Sequence, residues 1–361
     1  MLMKILLASQ ACVNHAYKSI FKFGIIADIQ YVDADDGTNF AGNKIRRYRQ
    51  SLRTLKHAIL SWNSLEEPIK CAISLGDTLD GQVASKNIQQ KCFLDVKQAC
   101  MELNSPFHFC FGNHDYYSFN RDEIYDRFIP TFQKPGATSS LHPFSVGGYC
   151  APSKLYYDFS PYPGYRFVLL DCYDVSLIGA ADENSRDMAK ILLKENNPND
   201  LSVPGTWFHN LPRENFRWVP YNGGIGKAQL AWLNRVLDQS SAQEEKVFIF
   251  CHQPIFSPFQ PNALVWNSEE VLGLLHKYDN ICMWMAGHDH EGQYHIDNHG
   301  VHHLIPPAPL ECAENEVAFG HIEVCSDRLL LHWSGKVPKK SLYEWPVEMV
   351  ISRRAGRRQD N

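Results

Sequence analysis

Residues 71–80 read CAISLGDTLD, an apolar run from Cys71 to Leu75 that opens at once into Gly76-Asp77-Thr78-Leu79-Asp80. A short apolar run closed by Gly and Asp is the pattern of a buried strand ending in a tight turn. The same pattern recurs on both sides. Upstream, FGIIA (23–27) runs into Asp28-Ile29-Gln30, and downstream FHFCF (107–111) runs into Gly112-Asn113-His114-Asp115. Further on, VFIFC (247–251) meets His252, and ICMWMA (281–286) meets Gly287-His288-Asp289-His290. In open α/β sheets, ligand sites gather beyond the carboxyl ends of the strands. Five such strand ends would bring carboxylates, amides and imidazoles to one edge, a donor set suited to metal.

Between these runs lie helical patterns. Asn43 to Trp62 predicts a helix with Ile45, Leu52, Leu55 and Ile59 on one face, and Lys86 to Leu103 predicts the next. The second half is richer in strands: Tyr156–Phe159, Tyr165–Asp171, Lys246–Cys251, Ile281–Ala286, His302–Ile305, His321–Cys325 and Leu329–Trp333. Its helices are Gly226–Asp238 and Ser268–Tyr278. That many strands in one unit predict an α/β fold of two β-sheets packed face to face, with helices outside. The division expected is a poorly ordered lead-in (1–21), one domain (22–335), and an extension (336–361) ending in the basic tail RRAGRRQDN. The polar, Pro- and Asn-rich stretch 180–224 is weakly periodic and reads as an insertion or lid.

Composition narrows the class. The 361 residues are 44% hydrophobic and 21% charged with a net charge of -5, which excludes a disordered chain and argues against nucleic-acid binding. No apolar run approaches the ~18 residues of a membrane span. Eleven cysteines, an odd count without a C-x-x-C pair, and the lack of any N-x-[ST] sequon predict a reducing compartment, hence the cytoplasm. The start of the chain has Lys4, Lys18 and Lys22 but no acid before Asp28, which leaves a mitochondrial presequence open. The absence of Arg there and the short apolar run Ile5 to Ala8 speak against it. With neither heptads nor a large apolar helix face, the expectation is a monomer.

Taken singly, each cluster has a bland reading. An Asp after a strand usually caps a turn, and a lone His252 is more often structural than a ligand. In an extended Gly-His-x-His, His288 and His290 share one side, because side chains alternate. His295, His299, His302 and His303 lack the strand-end placement and read as surface or cleft residues. The clusters gain their force jointly, from sharing one placement.

Together, the order D-x-[H/Q], GD-x-x-D, GNH-[D/E], H, GH-x-H resembles that of the calcineurin-like metallophosphoesterases, over roughly residues 22 to 335. The resemblance implies a fold of two mixed β-sheets flanked by helices. It implies one divalent metal on Asp28, Gln30, Asp77 and His290, and another on Asp77, Asn113, His252 and His288, with Asp77 shared. Two such ions carry a charge that Asp28 and Asp77 only half cancel, so about two positive charges remain to attract phosphate. His114 would face the leaving oxygen, and Asp80 would hydrogen-bond its other ring nitrogen and hold it as an imidazolium.

Gln30 departs from the usual His of this pattern. A carboxamide oxygen is a harder ligand than imidazole and favours Mn2+, with Mg2+ next, over Zn2+ or Fe; the alternative is that Gln30 does not ligate at all. The segments GIIADIQYVDADDGTNF (24–40), RRYRQSL (46–52) and GHDHEGQYH (287–295) are similar to those of the Mn2+-dependent ADP-ribose/CDP-alcohol diphosphatases. That similarity implies hydrolysis of small nucleotide diphosphate conjugates (ADP-ribose, CDP-choline, CDP-glycerol) to a nucleoside monophosphate and a phosphorylated sugar or alcohol.

Competing readings are weaker. A protein Ser/Thr phosphatase would carry an Arg soon after GD-x-x-D, where Gly81-Gln82-Val83 stand, and a purple acid phosphatase a Tyr where Thr78 and Leu79 stand. A phosphodiesterase of other specificity, such as for cyclic nucleotides, remains an alternative, as does a non-catalytic scaffold. A scaffold should show broken ligands, and Gln30 alone departs. NGGIGK (222–227) has the wrong spacing for a P-loop and reads as a turn capping the next helix. For substrate, Phe40 would stack on a base and Cys251 would line the site, each against an equal expectation of plain packing.

Overall fold

Strand β1 (Ser19–Ile26) enters the first sheet, helix α1 (Tyr48–Asn63) crosses its outer face, and β2 (Ala72–Ser74), α2 (Gln89–Met101) and β3 (Phe107–Phe109) follow. Helices α3 (Asn113–Ser118) and α4 (Arg121–Phe128) lead away from it. The second sheet takes β4 (Tyr157–Tyr162), β5 (Tyr165–Leu169), β6 (Lys246–Phe250), β7 (Ile281–Met285), β8 (Gln293–Ile296) and β9 (His302–Ile305). Its connections hold α5 (Glu183–Asn196), α6 (Lys227–Ala242) and α7 (Ser268–Leu275). The chain then returns to the first sheet as β10 (Ala318–Cys325), β11 (Arg328–Gly335) and β12 (Glu348–Val350). This computed structural model describes residues 18–129, 151, 153–338 and 344–351.

The sheet orders are β12-β11-β10-β1-β2-β3 and β8-β9-β7-β6-β5-β4. β1, β2 and β3 run parallel while β10, β11 and β12 pair antiparallel. In the second sheet β5, β6, β7 and β9 are parallel and the edges β4 and β8 antiparallel. Both sheets are therefore mixed, as the family resemblance implied. Their inner faces meet through aromatics: the Phe23 ring lies 4.9 Å from Phe167 and 5.8 Å from Phe248, edge-on in both cases. Each such ring, fully buried, stabilises the fold by about 1.5–3 kcal/mol. On the other face of β1, a Cβ at Gly24 would come within 2.7 Å of the Trp62 ring. Glycine there lets α1 close onto the sheet through its buried stripe Leu55, Ala58, Ile59 and Trp62.

Several expectations shift. The helix expected from Asn43 begins only at Tyr48, because Ile45 and Arg46 pair with Thr38 and Gly37 and the Arg47 N–H donates to Leu310 O at 2.8 Å. Tertiary pairing outcompetes the helical pattern there, and Ile45 is exposed. Within 180–224 the structure has a 14-residue helix, α5, started by the Asp182 side chain accepting from Ser185 N–H. Its narrow stripe, Ala189 and Leu193, packs on Trp266 in a small second core, too narrow to stand out among polar neighbours. His295, His302 and His303, expected at the surface or in a cleft, are buried in β8 and β9. Polar partners make that burial tolerable, Tyr294 OH at 2.7 Å from His302 and Asp297 at 3.1 Å from His303. Residues 1–17 of the lead-in and 352–361 of the tail lie outside the described residues, and β12 adds part of the extension to the first sheet. Among the described residues no helix is long and apolar enough to cross a membrane.

Candidate metal centre

The carboxyl ends of parallel strands from both sheets converge on one edge. Asp28 and Gln30 follow β1, Asp77 and Asp80 follow β2, Asn113 and His114 open α3, His252 follows β6, and His288 and His290 follow β7. Backbone hydrogen bonds hold these ends together: Asp28 N–H to Gly76 O at 3.1 Å, Gln30 N–H to Asp77 O at 2.8 Å, Gly287 N–H to His252 O at 2.9 Å. Asp28, Gln30, Asp77 and His288 adopt left-handed backbone with φ of 48°, 41°, 52° and 68°. Each such non-glycine residue costs on the order of 1–3 kcal/mol, a strain that aims its side chain and is offset by surrounding structure. A Cβ at Gly112 would sit 2.1 Å from Asp77 Oδ1 and 2.6 Å from His252, so only glycine lets β3 end this close to the cluster.

Asp77, His252 and His288 present buried or half-buried ligand atoms all within 4.8 Å of one another. His252 Nε2 lies 3.1 Å from His288 Nδ1 and 3.5 Å from Asp77 Oδ2. On the other side of Asp77, the Gln30 carboxamide lies 3.1 Å from Asp77 Oδ2 and 2.9 Å from His290 Nε2, and His290 Nε2 is 3.5 Å from Asp28 Oδ1. Asp77 thus stands between His252 and His288 on one side and Gln30, with His290 and Asp28 behind it, on the other.

The outer ring nitrogens decide which protonation states these histidines hold. His252 Nδ1 faces Leu75 O at 2.9 Å, His288 Nε2 faces Asn222 Oδ1 at 2.9 Å, and His290 Nδ1 faces Glu311 Oε1 at 2.8 Å. Each partner is an acceptor, so each outer nitrogen carries a proton, and His252 and His288 turn lone pairs inward. On His290 burial is outweighed by Asp28 and Glu311, which raise the pKa to about 9, so a cation must displace its inner proton. Lone pairs on His252 and His288 facing each other at 3.1 Å repel unless a cation lies between them. Gln30 Oε1 is buried with no hydrogen-bond partner, and exchanging the carboxamide's two ends turns that oxygen onto Asp77 and His290. The donors fit a pair of divalent cations. Burial and the neighbouring His252 and His290 push His288 well down, so it stays neutral.

Asn113 is buried, accepts from Tyr173 OH at 3.3 Å and lines the cavity over the cluster. His114 donates its backbone N–H to Asp77 Oδ1 at 2.8 Å, and its ring lines the same cavity. Burial pulls the His114 pKa down, but the Asp77 and Asp80 carboxylates outweigh it and the net shift is upward. Asp80 was expected to hydrogen-bond the ring. Its Oδ2 stands 3.3 Å from Nδ1, and the Gly81 N–H points at the same nitrogen from 3.0 Å. When the ring is neutral Nδ1 accepts from Gly81, and when it is protonated Asp80 is the acceptor for Nδ1–H.

The cavity above the centre measures about 660 Å³. Gln30, Asp77, Asn113, His114, His288 and His290 form its floor; Phe40, Lys44, Arg46, Tyr117, Trp207 and Tyr221 rise around it. Phe40 is 86% exposed at the rim. Cys251 is fully buried in the hydrophobic core and is not among the lining residues. Sequence reasoning missed Asp115, whose carboxylate accepts the N–H groups of Asp77, Thr78 and Gly112 at 2.8–2.9 Å and so ties two motif loops together. It also missed Asn222, Glu311 and the aromatic wall from 180–224; the basic run RRYRQSL was the one local signal for Arg46.

Comparison with known proteins follows the same line. Residues 21–292 match the calcineurin-like phosphoesterase family. A bovine protein named manganese-dependent ADP-ribose/CDP-alcohol diphosphatase is 38% identical over 333 residues, 91% of this chain and 95% of that one. An Arabidopsis thaliana protein of the same name is 36% identical over 88% of this chain and 94% of its own length. The crystal structure of a dimetal phosphatase from Danio rerio superposes with a TM-score of 0.80 at 30% identity, covering 93% of this chain and all of that one.

Proposed function

The chain belongs to the calcineurin-like phosphoesterase family, and we propose that it is a manganese-dependent hydrolase cleaving the diphosphate bond of ADP-ribose and of CDP-alcohols such as CDP-choline and CDP-glycerol. The observation that carries the reading is the set of three imidazoles, each with its outer nitrogen on an acceptor, His252 and His288 turned inward to Asp77 and His290 to Asp28 and Gln30. A scaffold that had abandoned catalysis has no need to keep all three. The names of the bovine and plant relatives support the substrate class, and a cavity with cations low on its wall and aromatics at its rim suits an anionic nucleotide conjugate.

In this reading Asp28, Gln30, Asp77 and His290 hold one ion, and Asp77, Asn113, His252 and His288 the other. When bound, the two ions polarise the phosphoryl group and acidify water at neutral pH. The protein's own groups do the rest. Arg46 and Lys44 draw the diphosphate onto the floor, the aromatic wall orients the base, and His114 gives a proton to the departing oxygen. Asp80, 3.3 Å from the ring's Nδ1, holds His114 for that transfer. Gln30 favours Mn2+ through its hard oxygen. We further propose a reducing compartment, supported by nine described cysteines that are all buried free thiols, and a monomer, as the lack of heptads suggests. The test is product analysis with ADP-ribose and CDP-choline. AMP with ribose 5-phosphate, and CMP with phosphocholine, support the reading; intact substrates count against it.

A further inference from the structure

Glu311 touches both the floor and the wall of the cavity, yet belongs to none of the strand-end clusters. It ends the short turn Pro309–Glu311 that precedes β10, and its side chain is only 4% exposed. Oε1 lies 2.8 Å from His290 Nδ1 and accepts from Arg46 Nε at 3.3 Å, while Oε2 lies 3.6 Å from Lys44 Nζ. The turn is anchored to the start of α1, where Arg47 donates its N–H to Leu310 O and its guanidinium to Cys312 O, at 2.8 and 2.9 Å. A carboxylate buried this deeply is tolerated only when paired, and His290, Arg46 and Lys44 are its partners.

The three inward-turned histidines are not equivalent. His252 and His288 meet neutral oxygens, Leu75 O and Asn222 Oδ1, whereas His290 meets a carboxylate. A charged acceptor on the outer nitrogen makes the inner one a stronger ligand. His290 also shares its side of the centre with Gln30, the weakest donor of the set. Resting on the reading of the centre given above, we infer that Glu311 is a positioning residue that makes His290 the strong ligand offsetting Gln30. Through the same carboxylate it ties that ligand to Arg46 and Lys44, which face the substrate.

The test titrates Mn2+ calorimetrically into metal-stripped wild type, Glu311→Ala and Glu311→Gln. Glu311→Ala weakens one of the two sites about ten- to hundredfold and spares the other. Glu311→Gln keeps an acceptor without the charge, so it falls between wild type and Glu311→Ala at that same site. In both variants KM for ADP-ribose rises several-fold, because Arg46 and Lys44 lose their anchor, while kcat at saturating Mn2+ holds within about threefold. Unchanged affinity in Glu311→Ala, or equal weakening of both sites with a lowered Tm, would overturn the inference. Wild type that binds two Mn2+ but hydrolyses neither substrate would remove the catalytic reading, and the order of affinities alone would then decide for or against Glu311.

Discussion

His288 Nε2 lies 2.9 Å from Asn222 Oδ1, and the orientation of that amide is not free. Asn222 Nδ2 donates to Arg217 O at 2.9 Å and to Asn262 O at 2.7 Å, which leaves Oδ1 to face the histidine. The glycine-rich turn that begins at Asn222 therefore sets the tautomer of His288, 66 positions further on. Asn222→Ala should weaken metal binding on the His252 side of the centre by roughly ten- to hundredfold. Calorimetry on the metal-stripped variant checks this, and a wild-type isotherm would remove Asn222 from the account.

In the function proposed above, His114 acts on the leaving group without holding an ion. His114→Ala should lower kcat by about a hundred- to ten-thousandfold and leave both ions bound. Metal analysis of the purified variant separates the roles: loss of an ion would make His114 a ligand.

The strand-end residues were legible because each motif is local: an apolar strand, a turn, and donors within a few positions. That grammar brought the clusters holding Asp28, Gln30, Asp77, Asn113, His252, His288 and His290 to one edge and gave the sandwich of two sheets; the choice of these seven as ligands came from the resemblance to the calcineurin-like family. What orients them was not legible. Glu311 reaches Arg46 across 265 positions and Asn222 reaches His288 across 66, and no local pattern encodes such pairs. The late start of α1 and the existence of α5 were missed for a related reason. A tertiary hydrogen bond from Arg47 cut the first helix short, and the second buries only Ala189 and Leu193.

Phe40, at the mouth of the cavity and 86% exposed, has little to lose in folding energy. Phe40→Ala should leave Tm and metal affinity unchanged. It should raise KM about five- to thirtyfold for at least one of ADP-ribose and CDP-choline, the range of about 1–2 kcal/mol expected for lost base stacking. Unchanged steady-state kinetics for both would take Phe40 out of the substrate path.

Away from the centre, His108 is buried on β3, its ring stacked 4.1 Å from Phe159 and its Nδ1 3.0 Å from Tyr157 OH. Burial pushes its pKa down from 6.5 to about 3. The unfolded chain takes up a proton near 6.5 and the folded chain does not, so this group's contribution is intact above that pH and is lost progressively as pH falls toward about 3. By pH 5 the loss is roughly 2 kcal/mol. Denaturant unfolding of wild type and His108→Gln between pH 7 and 5 should show a shallower decline in the variant. Parallel curves would mean His108 is protonated in the fold.

The central claim is that Asp28, Gln30, Asp77, Asn113, His252, His288 and His290 form a manganese centre for diphosphate hydrolysis. Metal-stripped protein should be given Mn2+, Mg2+ or Zn2+ in turn, with bound metal counted and the hydrolysis of ADP-ribose and CDP-choline followed. The expected result is two Mn2+ per chain, with AMP and CMP released fastest in Mn2+ and not at all in stripped protein. Protein that binds no metal, or that fills with Mn2+ and cleaves neither substrate, would contradict it.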